Sequence, residues 1–208
     1  MSIDNTKLAV MLLSASRLLQ EKSDELSALD AKFGDGDHGV TIAKIAHVIE
    51  DHTSRCSNLS LKSFFSELGG AVMNVSGGAA APLWGTFIGG LSLPIPESAT
   101  QIDPPLLKQM FSSALQEMRD ITNAKQGDKT LMDVLIPVVE RVADKNSIAE
   151  ILKTAAHAAS KGARDTENFA ARFGRAKNYG ERSLGTPDPG AVSMALFFKG
   201  LATGFDSE

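Results

Sequence analysis

Apolar residues recur at three- and four-residue spacing along most of the chain, and that period predicts helices. Leu8, Leu12, Ala15, Leu19 and Leu26 fall on one stripe, so roughly the first 28 residues read as one helix. A second helix is expected from Val40 to about Ser54, with Ile42, Ile45, Ala46 and Ile49 on its apolar face. A third runs from Ser60, an N-cap residue, to about Asn74. A fourth follows Gly77-Gly78 and continues to about Leu91. The proline-punctuated stretch LSLPIPESATQID is a loop. Asp103-Pro104 pairs a cap with proline at the first helical position and opens a fifth helix to about Ile121. A sixth spans about Thr130 to Val142, with Pro137 expected to kink it or shift its boundary. A seventh covers about Ile148 to Ala171. After the polar stretch FGRAKNYGERSLGT, Asp188-Pro189 opens an eighth helix to about Leu201.

Two runs, Val134–Val142 and Ala191–Phe198, are apolar enough for strands, but their lengths and flanks favour buried helices. Eight helices without a clear strand predict an all-α fold, with residues 1–208 in a single domain and no repeat or linker dividing them. Composition agrees: 43% of the 208 residues are hydrophobic, enough for one sizeable core. The net charge of −4 gives no nucleic-acid face, and only Arg172, Arg175, Lys177 and Arg182 form a modest basic group. A lone Cys56 excludes an internal disulfide and fits a reducing cytoplasm. The N-terminal apolar stretch has no basic segment before it, so no signal peptide is expected. No apolar run approaches the ~18 residues of a membrane span.

The chemistry concentrates in LDAKFGDGDHGVT, where Asp30, Asp35, Asp37 and His38 lie close in sequence among Gly34, Gly36 and Gly39. Three carboxylates drawn together repel unless a cation sits among them. An all-oxygen, glycine-hinged set suits a hard ion, Mg²⁺ or Ca²⁺, better than zinc. The EF-hand pattern fails, because the twelfth position counted from Asp35 is Ala46 instead of glutamate. Gly34 to Gly39 spells the dinucleotide fingerprint literally, but a helix precedes it and bare carboxylates repel a pyrophosphate. Phosphate could be held here only through metal ions. A solvated acidic loop with capping aspartates is the alternative, and capping accounts for one aspartate, not three.

Three other segments carry weaker signals. Ser76 to Thr86, SGGAAAPLWGT, allows either close helix packing or phosphate at a helix start. Gly127-Asp128-Lys129-Thr130 is a turn, either merely capped or with Lys129 offered to phosphate. Asp188-Pro189-Gly190 follows an arginine-bearing loop of the kind that closes over a ligand, or an ordinary surface loop. His47, His52 and His157 lack partners at metal-ligand spacing, and neither a G-x-S-x-G elbow nor a Walker A motif occurs.

LDAKFGDGDHG, GGAAAPLWGTF, GDKTLMDVLIPVVE and GRAKNYGERSLGTPDPGA, in that order, resemble the nucleotide-binding L subunit of bacterial dihydroxyacetone kinases and the equivalent C-terminal domain of single-chain ones. The resemblance spans nearly the whole chain and implies an up-and-down barrel of eight helices. By the same resemblance, Asp30, Asp35 and Asp37 are expected to hold two Mg²⁺ ions, and His38, Gly39, Val40 and Thr41 to contact ADP or ATP. Ala79 and Ala80 match the turn beside the phosphates, Leu131 the adenine pocket, and Arg175 a nucleotide-contacting arginine; Asp188, Pro189 and Gly190 follow the capping loop. The family commonly reads GGASGP where this chain has GGAAAP, so Ala80 loses a hydroxyl and Ala81 is harmless only at negative φ. The implied activity is phosphoryl transfer to dihydroxyacetone or a related ketotriose or ketotetrose held by a separate K subunit, with no nucleophile needed in this chain. Two branches follow: ADP rephosphorylated in place by a phosphotransferase-system M subunit, or exchange with free ATP. A non-catalytic nucleotide sensor acting on a transcription regulator remains the reading from another class, and a homodimer stays open.

Overall fold

The computed structural model describes residues 2–207. Among these residues nine α-helices follow in chain order: α1 (Asn5–Glu21), α2 (Ser23–Asp30), α3 (His38–Thr53), α4 (Leu61–Met73), α5 (Ala80–Gly90), α6 (Pro104–Ile121), α7 (Met132–Val142), α8 (Ile148–Asp165) and α9 (Pro189–Asp206). Short 3-10 turns join them at Cys56–Asn58, Thr166–Asn168 and Arg175–Ser183. No strand occurs among the described residues, where Ile3 and Ile102 make one isolated bridge. No described helix is long and apolar enough to cross a membrane.

The local signals place the helix starts well. Ser60, Asp103 and Asp188 each accept an N–H from their helix's first turn, and Asp4 and Ser147 do the same for α1 and α8. The expected first helix is two. Lys22, at φ −102° and ψ 6°, ends α1, and Asp24 and Glu25 then complement the positive start of α2. The seventh expected helix ends at Asp165 instead of Ala171, because Thr166 turns its hydroxyl back to Ala163 O at 2.6 Å. The polar stretch expected as loop forms the 3-10 segment Arg175–Ser183, and α9 runs five residues beyond Leu201. Pro137 does not end α7. Its missing N–H leaves the Asp133 carbonyl without a helical donor. Gly162 of α8 packs where a side-chain carbon would lie 2.2 Å from that oxygen.

Helix packing follows chain order. α1 lies on α3, each helix from α3 onward packs on the next, and α9 returns against α1. One apolar core fills the centre, with Trp84, Phe87, Phe111, Phe197 and Phe198 meeting edge to face. The ring of helices leaves its loops at the ends, and one end carries the site.

Candidate functional site

The loop between α2 and α3 gathers its carboxylates tightly. Asp30, Asp35 and Asp37 each offer an oxygen within 4.8 Å of the others. Two unit charges ~4 Å apart repel by about 1 kcal/mol in bulk water and about 4 kcal/mol at an effective dielectric of about 20. The backbone is shaped to accept this crowding. Gly36 takes φ 77°, and its N–H binds Asp30 Oδ2 at 2.9 Å. Any side-chain carbon on Gly34 would fall 2.4 Å from Asp30 Oδ1. Asp37 stands at the N-cap position of α3 yet makes no side-chain cap bond, which leaves its carboxylate for the cluster. The Arg175 guanidinium pairs with Asp35 from the opposite wall. Oxygen-only donors this close fit a hard divalent ion.

These carboxylates line one end of a cavity of about 460 Å³. The other motifs line it too: Gly78, Ala79 and Ala80 from the start of α5, Thr130 and Leu131 before α7, Arg175, and Asp188 to Gly190 at α9. The N-terminus of α5 has no side-chain cap, and a side-chain carbon on Gly78 would lie 3.6 Å from Asp37 Oδ2. Free N–H groups and a positive helix end therefore face the acidic cluster. Ala81 lies inside α5 and outside the positive-φ residues, so alanine carries no backbone strain there. Leu83, Trp84, Met118 and Leu131 supply apolar lining.

Buried polar groups brace the cavity's floor. Asp133 is 1% exposed and accepts N–H groups from Gly127 at 2.5 Å and Thr130 at 2.7 Å. Lys129, between them, does not point its charge at a phosphate site. Its Nζ donates to Thr166 O and Thr186 O. Asp188 caps α9 through Ala191 N–H at 2.7 Å. Burial pushes its carboxyl up to about 7, with Asp133 and Asp30 adding to the rise and Ala191 N–H and Lys129 opposing it. His38 Nε2 lies 3.0 Å from Ser193 Oγ, and burial lowers its pKa to about 4, against Asp30 and the Pro189 backbone. The imidazole is neutral at pH 7.

Three expected contact residues stay outside the lining. Val40 is exposed, Thr41 is buried beneath Gly77, and Gly39 fits α3 against α2 where a side-chain carbon would be 1.8 Å from Ser23 O. The sequence reading missed Phe33, Phe173 and the apolar residues Leu83, Trp84 and Met118. Phe33 meets Tyr179 edge to face at 5.2 Å, which fastens the Arg175–Ser183 segment to the carboxylate loop. The chain's only Trp and only Tyr both lie within the motif-bearing stretches, a signal that was available.

Fold and site define an all-helical domain that presents a cluster of three carboxylates beside a largely apolar cavity. Residues 32–203 match the DAK2 domain, and the chain belongs to that family. It is 30% identical to the ADP-binding subunit DhaL of the PEP-dependent dihydroxyacetone kinase of Escherichia coli, over 97% of this chain and 98% of that one. It is 28% identical to an L-erythrulose kinase of Pectobacterium atrosepticum, covering 96% of this chain but 35% of the relative. The crystal structure of the C. freundii dihydroxyacetone kinase in complex with AMP-PNP and Mg²⁺ superposes with a TM-score of 0.76 at 28% identity, over 98% of this chain and 34% of that one.

Proposed function

We propose that this chain is the nucleotide-holding subunit of a dihydroxyacetone-type kinase. It keeps ADP or ATP with a pair of Mg²⁺ ions and passes the terminal phosphoryl group to a short ketose carried by a separate K-type subunit. The observation that carries this reading is the convergence of three carboxylates and the uncapped start of α5 at one end of an apolar cavity. Asp30, Asp35 and Asp37 would hold the metal, which when bound neutralises charge developing on the phosphates.

The protein's own groups do the rest. The N–H groups around Ala79 and Ala80 meet phosphate oxygens, and Leu131 and Met118 enclose the adenine. Gly39, Val40 and Thr41 do not line the cavity and the Thr41 N–H is bonded to Asp37 O, so this turn's contacts with the nucleotide come from the backbone of Gly39 and Val40. Neutral His38 offers a hydrogen bond without adding charge. Arg175 bridges from Asp35 toward the phosphates, and Tyr179 on Phe33 holds its segment over the site, excluding water. Asp188, Pro189 and Gly190 form the facing wall. No side chain serves as nucleophile, so positioning and charge neutralisation supply the catalysis.

The E. coli relative's name couples it to PEP, which favours ADP rephosphorylated in place by an M-type subunit in the cytoplasm. The erythrulose kinases among the relatives favour a ketotetrose as a second acceptor. The test is an assay of the chain with a K-type subunit, Mg-ATP and each ketose. Ketose phosphate should form only when both chains are present. Steady ATP hydrolysis by the isolated chain would instead make it a metal phosphohydrolase. Nucleotide that survives long dialysis supports the PEP-linked branch, and rapid exchange supports free ATP.

A further inference from the structure

Lys129 is the only non-glycine residue among those described with a left-handed backbone, at φ 62°. It is also 4% exposed, deep for an ammonium. Glycine would carry this φ without strain, so the side chain is what the position retains. Its Nζ donates to Thr166 O at 2.7 Å and Thr186 O at 2.5 Å. Those two carbonyls bracket, in sequence, the segment bearing Arg175 and Tyr179. Thr166 extends the link, since its Oγ1 accepts the Asp188 N–H at 2.8 Å. Asp188 then starts α9 through Ala191 N–H. On the other side, Asp133 clamps the turn that carries Lys129. One ammonium therefore ties the turn before α7, the end of α8 and the chain entering α9.

We infer that Lys129 is a positioning residue of the nucleotide site: through Thr166 and Thr186 it sets Asp188-Pro189-Gly190 against Leu131 and His38 in the cavity wall. A side-chain carbon on Gly190 would stand 3.9 Å from the Leu131 Cβ, so the two residues pack side by side and a displacement of one shifts the lining that the other provides. The carboxylate loop, by contrast, is built from α2 and α3 and makes no hydrogen bond to Lys129. The inference rests on the nucleotide reading above.

The test compares wild type with Lys129→Met, which removes the ammonium, and Lys129→Gly, which also relieves the backbone and guards against a misfolded variant. A third variant, Thr166→Val, keeps the ammonium but breaks the link to Asp188. Mg-ADP affinity is measured by calorimetry and Mn²⁺ affinity, without nucleotide, by electron paramagnetic resonance. Mg-ADP binding should weaken by roughly 10–100-fold in both Lys129 variants, the usual loss when a supporting side chain goes. Thr166→Val should weaken it less, and Mn²⁺ affinity should stay at the wild-type value in all three. Unchanged Mg-ADP affinity in a folded Lys129 variant overturns the inference, as does an equal loss of Mn²⁺, which marks collapse of the whole site. Wild type that binds no Mg-ADP overturns the nucleotide reading itself, and this inference with it.

Discussion

Asp188 holds two duties that pull on its proton in opposite directions. As a cap it accepts Ala191 N–H, which favours the carboxylate, while burial near Asp133 and Asp30 favours the acid. With the carboxyl raised to about 7 from an ordinary 3.8, the folded state keeps a proton that the unfolded chain releases between those values. The stability from this group is therefore present below about pH 4 and lost as the pH rises through about 7. His38, lowered to about 4, works the other way, adding stability as the pH rises toward 6.5. Asp188→Asn keeps a capping oxygen and removes only the first titration. In metal-free protein, thermal unfolding should show Asp188→Asn gaining on wild type between pH 5 and pH 8. A constant difference across that range would show that Asp188 ionises normally. The titration was not legible in the sequence, where Asp188 reads as an N-cap before proline and, by resemblance, as part of the stretch after the capping loop: its neighbours Asp133, Lys129 and Asp30 arrive through tertiary packing. The same holds for Lys129, whose charge the sequence offers to phosphate and the fold gives to two carbonyls.

Elements with local chemistry were the legible ones. Ser60, Asp103 and Asp188 start helices where a side-chain oxygen meets a first-turn N–H, a contact spanning three residues. Helix ends without a glycine or proline signal were not. Lys22 breaks the first helix without a glycine or proline to announce it, and Thr166 stops α8 by a hydroxyl turned on its own backbone. Closure of the helix ring depends on small residues whose role appears only in three dimensions. Gly200 of α9 sits so close to α1 that a side-chain carbon would lie 2.3 Å from Ala15 Cα, backbone that cannot swing away. Gly200→Ala should therefore cost about 1–3 kcal/mol, the usual range for overpacking. At roughly 2–4 °C per kcal/mol for a protein of this size, calorimetry should find a Tm several degrees lower. An unchanged Tm would mean that α1 and α9 slide apart freely.

At the scale of the molecule, the ring brings four stretches far apart in sequence to one end, and that convergence is what the separate motifs could not give. Each alone had an ordinary reading as a cap, a turn or close packing. Together they place a carboxylate cluster, an uncapped helix start and an apolar wall around one cavity of about 460 Å³. The acidic end makes any bound phosphate depend on a divalent ion, because three carboxylates within 4.8 Å repel an anion. Asp37 is the cleanest probe of that dependence: it neither caps α3 through its side chain nor pairs with Arg175. The deciding measurement is a calorimetric titration of ADP into wild type and Asp37→Ala, with Mg²⁺ present and with the metal chelated. The account predicts tight binding only for wild type with Mg²⁺, and near-native helical circular dichroism for Asp37→Ala. ADP binding that is equally tight without the metal, or in Asp37→Ala, would contradict it.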